Sequence, residues 1–351
     1  MAYSSIIKPS AFMNTKLYTG TGSSNSVTGV GFKPDWVWLK CRSSAKHNNL
    51  YDVVRGATKE IYSNLTNAED TDAQSLKSFN SDGFTVGTGA DQNENNATYV
   101  AWNWKAGTSF TNDASGTGIG SVDSTGSVNQ TSGFSIMSWT GTGANATVAH
   151  GLGATPKMMI FKVRDGATAW VVYHKNVGPT KGLFLNTAGT GSTVSAYFQD
   201  TNPTSSVFSV GSDADTNGSS KSMITYCFAE KQGYSKFGVY AGNNSSTGGF
   251  HYTGFKPAFI IIKRTDSAAD WRTYDDKRFR AGGPNNKFNY LQANGDNGEA
   301  DSDSGGAWDM LSNGFKFYTS DAAINGGGTY IYMAFAENPF VASNFNAATA
   351  R

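Results

Sequence analysis

Pro257 to Tyr274 reads Pro-Ala-Phe-Ile-Ile-Ile-Lys-Arg-Thr-Asp-Ser-Ala-Ala-Asp-Trp-Arg-Thr-Tyr, and the chain repeats this run in outline three times. Lys263 follows Pro257 by six positions and Tyr274 follows Lys263 by eleven; Pro156, Lys162, Tyr173 and Pro34, Lys40, Tyr51 keep the same offsets. Each run is mostly apolar from Pro to Lys, then short and polar, then carries the Tyr. That pattern predicts a strand, a short loop and a return strand. Pro suits a strand's first residue, where no ladder bond is lost.

The outer parts of each repeat also align. An aromatic residue and a Gly-rich turn open each one, at Tyr18, Trp139 and Tyr240. Register returns at Phe84, Phe208 and Phe315, and Trp104, Phe228 and Phe335 each stand 20 residues further on. The expected fold is all-β, with three tandem antiparallel β-sandwich-like modules. The expected boundaries are an N-terminal arm at 1–14, modules at 15–107, 133–232 and 233–340, a Gly/Ser/Thr-rich linker or exposed loop at 108–132, and a C-terminal tail at 341–351. The Pro–Lys strands and the last strands are apolar on both faces, so both faces need cover. Modules are therefore expected to pack on each other or on neighbouring subunits.

Charged residues are 16% of the 351, and the formal net charge is +1. No field of one sign points to nucleic acid or to a membrane surface. No run approaches the ~20 apolar residues of a membrane helix, and 1–14 lacks the apolar core of a signal peptide. Cys41 and Cys227 sit at non-equivalent places in their repeats and read as free thiols.

Few constellations suggest chemistry. The motifs Gly-x-Ser-x-Gly and His-Glu-x-x-His and a phosphate loop are all absent from the sequence. Of the four histidines, His174 alone occupies a repeat-equivalent place, and Asp52 and Asp275 stand there in the other modules. Adjacent Asp275 and Asp276 would face opposite sides of a strand, which disfavours a glycosidase pair. Asp213 to Gly218 resembles half a calcium loop, but Ile224 stands where the bidentate Glu belongs, so a plain turn is the preferred reading. Asp301 to Gly305 is read alike. Lys40/Arg42, Lys162/Arg164 and Lys263/Arg264 open a hairpin loop in each module. They read as solvated hairpin ends, with a clasp for phosphate or sulfate groups as the alternative. Trp170 and Trp271 read as core rather than sugar-stacking platforms. The expectation is a protein without catalytic, metal or cofactor residues.

Gly29-Val-Gly-Phe-Lys-Pro-Asp-Trp-Val-Trp38, Ser78-Phe-Asn-Ser-Asp-Gly-Phe84, Ala101-Trp-Asn-Trp-Lys-Ala-Gly107, Tyr226-Cys-Phe-Ala-Glu-Lys-Gln-Gly-Tyr234 and Tyr330-Ile-Tyr-Met-Ala-Phe-Ala-Glu-Asn-Pro-Phe340 resemble a repeat family in virion proteins of marine bacteriophages. The resemblance covers nearly the whole chain. It implies a virion structural protein made in the host cytoplasm, a tail fibre or compact tail appendage that binds a host-surface glycan or receptor. Capsid decoration is the alternative, and a glycan-degrading tailspike a distant one. Expected partners are other virion proteins and further copies of the chain. Asn64–Asp72, Leu183–Pro203 and Pro284–Gly306 vary between modules while strand spacings do not. They are therefore the expected recognition loops, with Tyr197, Phe198, Phe288 and Tyr290 as candidate sugar platforms.

Overall fold

Each Tyr returns antiparallel to its Pro–Lys strand at one shared register. Val37 faces Tyr51, Met159 faces Tyr173 and Ile260 faces Tyr274, always three residues after the Pro. The last strand of each module pairs on the other side, also at one register: Trp36 with Trp104, Met158 with Phe228, Phe259 with Phe335. These relations come from a computed structural model that describes residues 4–280, 287–300 and 308–340. The fold is all-β, with 45% strand and 6% helix. Pro156 opens its strand, but Pro257 lies inside Phe255–Arg264 at a register shift, where a missing N–H is also tolerated.

The same sheet is built three times. In module one the order is Met13–Thr19, Thr98–Trp104, Trp36–Cys41, Asn48–Asp52, Lys59–Tyr62, Asp70–Thr71. In module two the corresponding order is Phe134–Thr140, Ser222–Ala229, Pro156–Val163, Val171–His174, Lys181–Phe184, Ser192–Thr193. In module three it is Ser235–Ala241, Thr329–Pro339, Phe255–Arg264, Arg272–Asp275, Leu291–Gln292. A small antiparallel sheet covers one face of each large one; it is centred on Gly83–Val86, Val207–Val210 and Gly314–Phe317 respectively.

The two-sided strands have cover on both faces. On one face, Val37, Met159 and Ile260 point into separate sandwich cores with Phe84, Phe208 and Phe315. On the other, Trp36, Trp38, Trp102 and Trp104 of module one meet Ile160, Trp170 and Tyr226 of module two and Phe259, Ile261, Trp271 and Phe335 of module three in one shared core. Trp36 stacks on Tyr226 at 4.5 Å between centroids, and Trp104 lies edge-on to Phe259 at 5.4 Å. Each fully buried large side chain contributes roughly 1.5–3 kcal/mol, so a core shared by three modules is a substantial part of what holds them together. The modules pack on each other, one of the two arrangements the sequence allowed.

The segment 108–132 is not a free linker. Thr108–Asn112 and Ser124–Asn129 form a ribbon that extends the large sheet of module two beyond Phe134–Thr140. Its small residues permit this: a Cβ at Gly126 would stand 2.0 Å from the Ile136 carbonyl oxygen. The N-terminal arm is likewise docked. Ile6 is buried in the shared core, and Phe12 packs edge-on against Tyr234 of module three.

Candidate functional site

The repeated lysines are not solvated hairpin ends, and they form no anion clasp. All three are fully buried. Lys40 Nζ donates to the carbonyls of Lys46 (2.7 Å) and, in module three, Asp296 (2.9 Å). Lys162 Nζ donates to Gly166 and Thr168 and, in module one, to Thr66 (3.1 Å). Lys263 Nζ donates to Arg264 and, in module two, to Ala188 (3.1 Å). One ammonium thus ties each module to the next, and the three ties close a ring. Removal from water pushes each ammonium down to about 8.

Two of the three seams add a forked Arg–Glu ion pair, while the third carries Lys236 of module three on Glu230 of module two at 3.2 Å. Arg42 of module one forms a fork with Glu299 of module three (2.7 and 2.9 Å), and Arg164 of module two a fork with Glu69 of module one (both 3.0 Å). Each Glu also meets a buried Arg of its own module, Arg278 and Arg55. The third seam lacks such an acid. Gly191 holds the register place of Glu69, with φ +82° and room for no Cβ, which would fall 2.2 Å from the Gly182 carbonyl oxygen. Arg264 turns instead to Asp266 of its own hairpin at 2.8 Å.

The equivalent places Asp52, His174 and Asp275 follow what faces them. Tyr226 donates its hydroxyl to Asp52, and Trp102 its indole N–H to Asp275 at 2.9 Å. Across the remaining seam the residue at the Trp102 and Tyr226 position is Met333, which has no donor. There His174 accepts from the Asn176 N–H through Nδ1, so Nε2 carries the proton and donates to the Tyr332 carbonyl. Burial holds this imidazole down at about 3. The tryptophans serve the same seams: Trp170 Nε1 donates to the Tyr62 and Leu65 carbonyls, and Trp271 Nε1 to Phe184. Both are core, as expected.

Asp213 caps the short helix Ala214–Asn217 by accepting from the Asp215 N–H, and Asn217 donates to the carbonyls of Ala144 and Gly211. Asn93 and Asn325 make the matching bonds to Gly87 and Thr319. This turn is therefore a repeated buried clamp, with the Asn nine or ten residues after the register Phe; that spacing is visible in the sequence and was the available signal. Asp301–Gly305 lies outside the described residues. Cys41 and Cys227 are free and buried.

Three of the four expected sugar platforms, Tyr197, Phe198 and Tyr290, are engaged within the protein. Tyr197 and Phe198 are packed into the core of module two, because their four-residue helix lies under the small sheet. Tyr290 is stacked under the Arg272 guanidinium at 4.2 Å. The side chain of Phe288 lies outside the described residues. The loop Asn64–Asp72 supplies seam acceptors through Leu65, Thr66 and Glu69.

A concave surface exists elsewhere. A groove of about 580 Å³ runs between the arm and the ribbon, lined by Phe12, Phe110, Val128, Asn129, Gln130 and Gly151 among others. Phe110 is half-buried, its ring lying over Gly151, where a Cβ would come within 2.8 Å of it. Gln130 Nε2 donates to the Gly151 carbonyl at 2.8 Å. These residues come largely from the stretch that reads as a linker. Only its Phe110, the one aromatic residue among Gly, Ser and Thr, signals a purpose.

The chain belongs to the family described as a domain of unknown function, DUF7483, which matches residues 8–339. No curated protein and no solved structure matches it.

Proposed function

We propose that this protein is a non-enzymatic structural component of a bacteriophage particle, a compact tail appendage that binds a glycan of the host surface. The resemblance of its repeated motifs to phage virion proteins supports the particle. The groove carries the binding. On a scaffold whose repeated lysines and buried acids are engaged in seams, it offers aromatic faces beside amide and hydroxyl groups. Pyranose rings stack their C–H faces on aromatic rings and hydrogen-bond through their rims, which is the chemistry this lining provides. The test adds purified protein to host cells and to extracted host polysaccharide. Binding is expected to survive moderate salt, because a net charge of +1 supplies no electrostatic adsorption. Phe110→Ala is expected to abolish it while leaving the melting temperature near wild type. No binding by the wild-type protein overturns the reading.

One observation favours capsid decoration as the second reading. The three modules close a ring within one chain, so the block can sit on a threefold site of a shell without further copies. Tight binding to empty capsids, without cell binding, would select it. Release of sugar fragments from the polysaccharide would instead select a tailspike.

A further inference from the structure

Among the described residues, the small sheet of module three ends in an open edge that its counterpart in module two does not have. In module two, Ala146–Ala149 pairs with Val207–Val210 on one side. On the other side the chain itself covers it. Val122 bridges to Val148, the Ser121 N–H donates to the Thr147 carbonyl, the Thr147 N–H donates to Ser121 Oγ, and Ser124 Oγ donates to the Ala149 carbonyl. Val148 faces Phe208, and His251 faces Phe315, so Thr147 and Ala149 correspond to Phe250 and Tyr252. By that register the N–H and C=O groups of Phe250 and Tyr252 point away from Gly314–Phe317. Among the described residues, none bonds to them.

The side chains differ in the same place. Phe250 is 45% exposed and Tyr252 59%, on one face of the strand, whereas module one has Ser26 and Thr28 there. Between them His251 turns inward and packs on Tyr240 at 4.3 Å. Open edges are ordinarily blunted by Lys, Pro or a bulge. The edge strand Phe250–Tyr252 is short, three residues, but carries no Lys, Pro or bulge.

We propose that two copies of this chain pair through Phe250–Tyr252, antiparallel and twofold about His251. The strand is self-complementary. With His251 opposite His251, Phe250 of each copy lies opposite Tyr252 of the other. The outward groups of both residues then exchange about four backbone hydrogen bonds, as hydrogen-bonded pairs of an antiparallel ladder do. The aromatic side chains meet as cross-strand pairs on one face. The contact is isologous, the same patch on both subunits, and therefore closes at two copies. It uses a different surface from the groove, so it stands whether or not the groove binds glycan.

The experiment is sedimentation over a concentration series of the full chain, with hydrogen exchange read at single amides. The wild type is expected to dimerise. The Phe250 and Tyr252 amides should gain protection as concentration rises, while that of His251, bonded within the sheet, is protected throughout. The double variant Phe250→Ser, Tyr252→Thr, which restores the residues of module one, should remain monomeric with an unchanged melting temperature, since both side chains are exposed. A wild type that stays monomeric at every concentration overturns the proposal. So does a double variant that still dimerises, or dimerisation without new protection at these two amides. Loss of polysaccharide binding in the double variant of a monomeric protein would reassign the edge to sugar.

Discussion

Tyr226 of module two donates its hydroxyl hydrogen to Asp52 of module one across 2.8 Å, and the same carboxylate oxygen accepts from Arg55 at 2.5 Å. Asp52 and Arg55 are both buried. Removing one partner strands the other charge, which costs about 3–5 kcal/mol. Asp52→Ala is therefore expected to lose that much stability in urea unfolding. Removing Arg264 from its surface pair with Asp266 should cost less than ~1 kcal/mol.

His174 fixes a direction of pH dependence. Its folded pKa of about 3 lies below the unfolded value of ~6.5. Between those values the unfolded chain binds the extra proton, so stability falls as pH drops from 6.5. The slope is up to about 1.4 kcal/mol per pH unit for each such group. His150 and His251, each held down to about 4 by burial, act the same way. Asp276, raised to about 6 by burial, acts oppositely below pH 6. The measurement is therefore a difference: unfolding curves of the wild type and of His174→Gln at pH 7 and pH 5 should converge at the lower pH.

The three seam lysines act at the alkaline end. Their folded pKa of about 8 lies below the unfolded ~10.4. Between pH 8 and 10 the unfolded chain holds more protons, so stability rises with pH through that window. Above pH 10 the gain reverses, because buried tyrosines such as Tyr51 and Tyr226 resist ionisation in the fold and not outside it. Cys227 and the buried tyrosines, all raised by burial, begin to oppose this gain within the window, so the measurement is a difference: from pH 8 to pH 10 the melting temperature of the wild type should gain on that of Lys162→Met.

Ile260 and Ile261 point to opposite faces of one strand, and both are buried. Either change to Ala should cost about 2–5 kcal/mol. Ile260 belongs to the sandwich core of module three and Ile261 to the core shared by all three modules. Hydrogen exchange should therefore separate the variants. Ile260→Ala should loosen the amides of module three first. Ile261→Ala should raise exchange along Trp36–Cys41 and Pro156–Val163 as well.

The fold was legible where spacing carried it. Lys40, Tyr51 and their equivalents sit in strands at fixed offsets from Pro34, Pro156 and Pro257, and their register could be read before any coordinate. The need for a second cover showed in Phe259 to Ile262, apolar at every position. The lysines misled because a Lys beside a polar loop reads as solvated; burial is tolerable because carbonyls of its own hairpin and of the neighbouring module both accept from it, and the latter lie as far as 256 residues away in sequence. Tyr197 and Phe198 misled in the opposite sense, since a loop of variable length turned out to hold core. The ribbon at 108–132 escaped because Gly, Ser and Thr on a sheet edge look like a linker until the strand beside them is known. The groove depends on that ribbon and was hidden with it.

Fusing three modules in one chain sets the valence of the whole body. Three identical subunits would carry three identical edges, and each paired edge would leave two more to recruit neighbours without end. Here the edge of module two is covered by Ser121 and Val122, that of module one carries Ser26 and Thr28, and only module three presents Phe250 and Tyr252. A threefold body can therefore have a single adhesive side, so that its association stops at a countable number of copies.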